Sequence, residues 1–276
     1  MEKKYNYFLK TFFLFIFSTV ILCAFPMLIH AQENNTPLFA LVECMKVKPE
    51  NEGKYLEIEK NIWKPLHIER ARQGNIAGWF LYKVRFTGTD DAYNYVTVTL
   101  FSNPANIEDP WKNIDPAKVL PGKDLEAALK ETGESRNMVS SILINRQASV
   151  YPDGGPGDFK YIQLDFMKVK PEKESEYWDV ETSVWKPVHQ EFIKAGSRVG
   201  WSLWGRVFPS GAELDYQYVT VNYMANWSKI GVADYNDAFA KAHAGKNLDD
   251  LFAKTNASRV LVKSELWEVI DKAFAQ

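Results

Sequence analysis

The chain has 276 residues, of which 46% are hydrophobic, 14% aromatic and 25% charged. This composition is ordinary for a globular protein and excludes the disordered and collagen-like classes. A formal charge of −2 gives no electrostatic reason to expect nucleic acid as a partner.

Lys3, Lys4 and Lys10 precede an apolar run over residues 12–25, and Ala31 puts a small residue just before polar Gln32. This is the layout of a secretory signal peptide over residues 1–31. The chain is therefore expected to be secreted or periplasmic, with no membrane partner once the segment is removed. An uncleaved anchor over residues 11–29 is the competing reading, since a membrane helix needs roughly 20 apolar residues. Pro26 and the polar residues 32–35 favour cleavage. Removing three Lys and one Glu would take the charge from −2 to −4. Only Cys44 then remains, too few for an internal disulfide, and its apolar-alternating context reads as a buried small hydrophobe.

The mature part contains one pattern twice. Met45-Lys-Val-Lys-Pro-Glu recurs at Met167, Trp63-Lys-Pro with His67 recurs as Trp185-Lys-Pro with His189, and Gly78-Trp79 recurs as Gly200-Trp201. Tyr95-Val-Thr-Val recurs at Tyr218 and Ser135-Arg136 at Ser258-Arg259, after a one-residue slip in the intervening turn. Two domains are expected, 38–150 and 159–276, joined by a Gly/Pro-rich linker at 151–158.

Taken in order, residues 37–48 alternate as a strand, with Val42 and Cys44 on one face and Glu43, Met45 and Val47 on the other. Residues 161–170 repeat this and place Asp165 at the Glu43 position. Residues 50–72 and 172–195 have helical spacing interrupted at Pro65 and Pro187, which predicts a kink or two abutting helices. Gly74 and Gly196 suit helix C-terminal caps. Strands are expected at 76–86 and 93–101, and at 199–208 and 216–224. Helices follow at 122–132 and 234–255, the first after a Pro- and Asn-rich connection, and final strands lie at 136–150 and 259–270. Each copy thus reads strand, helix, strand, strand, helix, strand, the split βαβ unit. A four-stranded sheet with helices on one face leaves its other face bare, and two copies can bury those faces against each other.

This element order, with the duplicated Met-x-Val-x-Pro start and Trp-x-Pro-x-His helix, resembles the dimeric α/β-barrel superfamily over residues 38–276. Antibiotic-biosynthesis monooxygenases and EthD-like and NIPSNAP-like proteins belong to it. The resemblance implies an α+β fold of two tandem ferredoxin-like repeats packed sheet to sheet as an intrachain pseudo-dimer, either monomeric or within a higher oligomer. It implies no single reaction, because the superfamily includes cofactor-free oxygenases, haem-degrading enzymes and isomerases.

Trp63 and His67 share a helix face, as do Trp185 and His189. Facing the sheet, they would form one wall of a pocket whose other wall is Trp79, Tyr95 and Thr97, or Trp201, Tyr218 and Thr220. Either His could act as a general base or bind a haem iron, or it could simply satisfy a backbone group inside an aromatic core. Arg136 and Arg259 could hold a carboxylate or pair with Glu43 or Asp165. The second copy replaces Phe80, Tyr82 and Ile142 by Ser202, Trp204 and Glu265, and the more polar second half is the expected working site. Three mature histidines without ligand spacing predict no metal. The leading expectation is a binder of a small apolar or aromatic molecule held between helix and sheet, with no cofactor. A cofactor-free monooxygenase or isomerase using His67 or His189, and an interaction protein without a ligand, are the alternatives.

Overall fold

The computed structural model describes residues 37–153 and 155–275, so the signal-peptide reading lies outside the described residues. The first half comprises strands β1 (Phe39–Lys46), β2 (Gly78–Val84), β3 (Tyr95–Phe101) and β4 (Asn137–Val150). Its helices are α1 (Glu52–Ile58), α2 (Lys64–Arg72), α3 (Pro116–Val119) and α4 (Leu125–Ser135). The second half has β5 (Tyr161–Val169), β6 (Gly200–Phe208), β7 (Tyr218–Met224) and β8 (Arg259–Ala273). Its helices are α5 (Glu174–Asp179), α6 (Lys186–Lys194), α7 (Tyr235–Ala242) and α8 (Leu248–Ser258).

The proline interruptions are resolved by a local widening of the helix. A π-helical segment, Glu59–Trp63, joins α1 to α2, and the Lys64 N–H reaches back five residues to the Glu59 carbonyl. Val180–Trp185 does the same between α5 and α6, with Lys186 bonding Glu181. Pro65 and Pro187 then fall in the first turn of the following helix, where their missing N–H costs little. Gly74 and Gly196 adopt positive φ, 75° and 68°, and close the helices as caps. Residues 234–255 form two helices instead of the single one expected. Gly245 at φ 78° interrupts the helix and Asn247 caps the start of α8.

The eight strands form a closed barrel in the order β1-β3-β2-β8-β5-β7-β6-β4, each neighbouring pair antiparallel. The two four-stranded groups therefore do not merely stack. Their edge strands pair, β2 with β8 and β4 with β6, so no edge is left open. Because directions alternate around the ring, β1 and β5 both start at one rim, where β4 ends and the linker begins.

The period-2 alternation of β1 sends its two faces to different places. Ala40, Val42 and Cys44 face the barrel lumen, whereas Leu41, Glu43 and Met45 face the helices. The lumen is not packed shut: a mostly apolar cavity of about 470 Å³ remains between the two sheets. The Phe80/Ser202, Tyr82/Trp204 and Ile142/Glu265 differences between copies fall on this inner side of the barrel, away from the helices. Trp204 lines the cavity and donates to Ser202, which also bonds Tyr223.

Candidate functional site

In the first half a pocket of about 230 Å³ lies between α2 and the sheet. Glu43, Trp63, His67, Trp79 and Arg136, all singled out from the sequence, line it together with Glu59, Arg70, Thr97, Thr99 and Trp111. The His67 ring stacks on Trp79 at 4.7 Å between centroids, and Trp111 and Trp63 lie at 5.8 and 6.4 Å. Trp63 is fixed from behind by a 3.0 Å hydrogen bond to Thr132.

The imidazole is held in a defined state. Arg70 Nη1 lies 2.8 Å from His67 Nδ1, and a guanidinium can only donate, so Nδ1 accepts and the ring proton of the neutral form sits on Nε2. Burial, together with the neighbouring Arg70 charge, holds His67 well below the usual histidine range. In the second half Arg198 contacts His189 Nδ1 at 2.5 Å, and the same causes depress His189. The copies have exchanged residues to achieve this: Arg70 and Ile76 in the first correspond to Phe192 and Arg198 in the second. Each guanidinium ends on its own histidine from a different element.

This geometry corrects the general-base role given to His67 and His189. Each ring offers an N–H where a base needs a lone pair, and both depressed affinities oppose proton uptake.

The group held nearest neutrality is a glutamate that the sequence analysis did not single out. Glu59 opens the π-helical segment at 3% exposure, and burial pushes its carboxyl up to about 7 against the opposing pull of Arg136. Glu181 is its counterpart at 1% exposure, also raised by burial to about 7, and Arg259 Nε lies 3.2 Å from it. The signal was present, since Tyr55, Glu59 and Trp63 recur as Tyr177, Glu181 and Trp185.

The partners expected for the arginines need correction. Arg259 pairs with Glu181 and not with Asp165, which accepts from Gln163, Asn222 and Ser264. Arg136 Nη1 points at Met45 Sδ, 3.0 Å away, while its buried Nε has no partner among the described residues. Glu43 accepts a 3.3 Å bond from Thr97. Tyr95 and Tyr218 lie outside the helix–sheet site, donating instead to Glu52 and Glu174 near the helix starts.

The halves also differ in filling. In the second, Phe239 of α7 and Phe252 of α8 pack on Trp185 at 5.1 and 6.1 Å, and Tyr235 contacts both Trp185 and Phe192. The first half has Trp111 from an irregular loop in that region, 37% exposed and stacked on Arg70 at 4.2 Å. Aromatic side chains thus fill in the second half the region that the first half keeps as a pocket.

Together the closed eight-stranded barrel and its outer helices define the fold of the dimeric α/β-barrel superfamily. A candidate monooxygenase from Fusobacterium nucleatum has the same fold, with a TM-score of 0.53 at 14% identity over 86% of this chain and 94% of that one. An anthrone oxidase-like protein gives 0.47 at 14% identity over 87% and 93%, and a haem-binding protein from Thermus thermophilus 0.46 at 10% over 85% and 91%. No family model matches the sequence, and no curated protein matches it.

The residues present do not fit a haem, the cofactor weighed for His67 and His189 from the sequence. Iron coordination needs an imidazole lone pair at Nε2, whereas Arg70 and Arg198 fix the ring proton there. The 230 Å³ pocket is also below the roughly 300 Å³ at which sites for drug-sized ligands begin. Lumen-lining Cys44 is a thiol pushed up to about 11 by burial, the wrong direction for a thiolate ligand.

Proposed function

We propose that this chain is a small-molecule-binding protein whose working site is the first-half pocket, and that its ligand is a compact aromatic molecule with one acidic or anionic group. The observation that carries this is the enclosure of a partly polar cavity by Trp63, Trp79, Trp111 and the stacked, neutral His67, with Arg70 and Arg136 in its wall. Aromatic faces suit a flat ring, and the imidazole Nε2–H is a donor with no hydrogen-bond partner among the described residues. With the Glu59 carboxyl raised to about 7 and so only partly ionised near neutrality, the two guanidiniums outweigh the carboxylates of Glu43 and Glu59 and favour an anion. The same reading takes the chain as two ferredoxin-like units, 38–150 and 159–276, a division supported by the internal repeat and by strand orders β4-β1-β3-β2 and β8-β5-β7-β6. It also takes the chain as exported by residues 1–31, on the strength of their Lys-then-apolar pattern.

Ligand-observed NMR with benzoate, salicylate, 1-naphthol and indole tests the site. Binding by the first three, lost when Thr99→Phe fills the pocket and retained in Phe252→Leu, supports the proposal. Binding that ignores Thr99→Phe sinks it. A second reading, a cofactor-free oxygenase or isomerase, is favoured by the position of Glu59 near neutrality, where a general base works best. In that case Glu59→Gln would retain the ligand and lose turnover.

A further inference from the structure

We propose that the barrel lumen is a second ligand site, separate from the helix–sheet pocket, and that it takes a single-chain amphiphile with a carboxylate head held by Arg146. Its volume of about 470 Å³ lies within the range of small-molecule sites, and its wall is mostly aliphatic and aromatic. Protein interiors are ordinarily packed with few voids larger than a water molecule. An apolar space this large inside a closed barrel is therefore a feature to explain.

The polar groups at its two rims differ in what they leave free. At the rim away from the linker, Glu265 accepts from Tyr93 and Trp267, each at 2.8 Å, and pairs with Lys263 at 2.6 Å. That carboxylate is supplied with donors, so a cationic head would have to displace them. At the linker rim, Lys272 pairs with Asp158 at 3.0 Å. Arg146 also lines the cavity, half-buried, and its guanidinium has no ion pair or hydrogen bond among the described residues. A half-desolvated guanidinium at the mouth of an apolar chamber favours a carboxylate, which it can bind through two parallel hydrogen bonds. The tail then runs past Ile144 and Val98 toward Phe166 and Cys44. The counterpart of Arg146 in the second copy is Val269, so the head-group site occurs once and the stoichiometry is one ligand per chain.

The test is calorimetric titration of the delipidated full chain with decanoate, decan-1-ol and decyltrimethylammonium. Decanoate should bind at 1:1 and roughly tenfold or more tighter than decan-1-ol, the usual worth of a hydrogen bond to a charged group. The trimethylammonium amphiphile should bind more weakly than either. Arg146→Met should bring decanoate to the level of the alcohol without changing the alcohol itself. Ile144→Trp should abolish both, with Val98→Phe as the alternative should the tryptophan unfold the barrel. Thr99→Phe, which blocks only the helix–sheet pocket, should leave decanoate binding intact, so failure here and failure of the first-half site are distinguishable. No decanoate binding, equal affinity for acid and alcohol, or loss of binding in Thr99→Phe would each overturn the proposal.

Discussion

Replacing Glu59 by Gln should change how stability depends on pH in a way that reads the buried carboxyl directly. The group is displaced from 4.5 to about 7 in the folded chain because burial disfavours its ionised form. Between those values the folded state binds the proton more tightly than the unfolded state, so stability falls as pH rises through the window. At 1.36 kcal/mol per pH unit, the loss across it is about 3 kcal/mol. Below about 4.5 both states are protonated and the loss is absent; above about 7 it is complete. Gln keeps the shape and cannot ionise. Urea unfolding of both proteins from about pH 4 to about pH 8 should show the variant's relative stability climbing by up to about 3 kcal/mol as pH rises. Glu181 and the surface carboxylates remain in both proteins and cancel in the difference. A difference that stays constant with pH would refute the argument that Glu59 is held near neutrality by burial.

Three further outcomes follow from the same packing. Arg259→Met leaves the buried carboxyl of Glu181, already raised to about 7, without its partner; the group can take up a proton instead, so the variant should lose little stability at about pH 6 and progressively more as pH rises above about 7, read as a calorimetric Tm that falls with pH. Adding Glu181→Leu should remove most of that fall. Nitrogen-15 correlation spectra should show His67 and His189 as the Nε2–H tautomer, still neutral through the pH range where an ordinary histidine takes up its proton; either ring titrating in that range would contradict the Arg–His contacts. Alkylation of Cys44, followed by peptide mass, should be slow because its thiol is buried and raised to about 11, and slower still with decanoate bound.

Much of the fold was legible because it is written in local periods. The alternation of Val42 and Cys44 against Glu43 and Met45 assigned the two faces of β1 before their surroundings were known. The prolines at 65 and 187 marked the helix interruption, although not its π-helical form, which depends on how far Lys64 and Lys186 can reach back. The lumen was not legible. It arises from edge pairing between residues as distant as Phe80 and Lys272, and sequence spacing carries no sign of how completely two sheets fill the space they enclose. The site was half legible: aromatic and His positions repeat in register, whereas Arg70 and Arg198 reach equivalent imidazoles from non-equivalent positions, which no repeat alignment pairs. Glu59 and Glu181 did repeat in register. They stand in charged helical stretches, and nothing in the local spacing separates them from exposed neighbours such as Lys60; only the fold buries them.

The most direct test is a crystal structure of the protein soaked with whichever of benzoate, salicylate or 1-naphthol binds tightest. The account predicts a ring enclosed by Trp63, His67, Trp79 and Trp111, with its anionic or acidic group toward Arg70 or Arg136. Density against Trp185 and His189, with the first-half pocket empty, would contradict it.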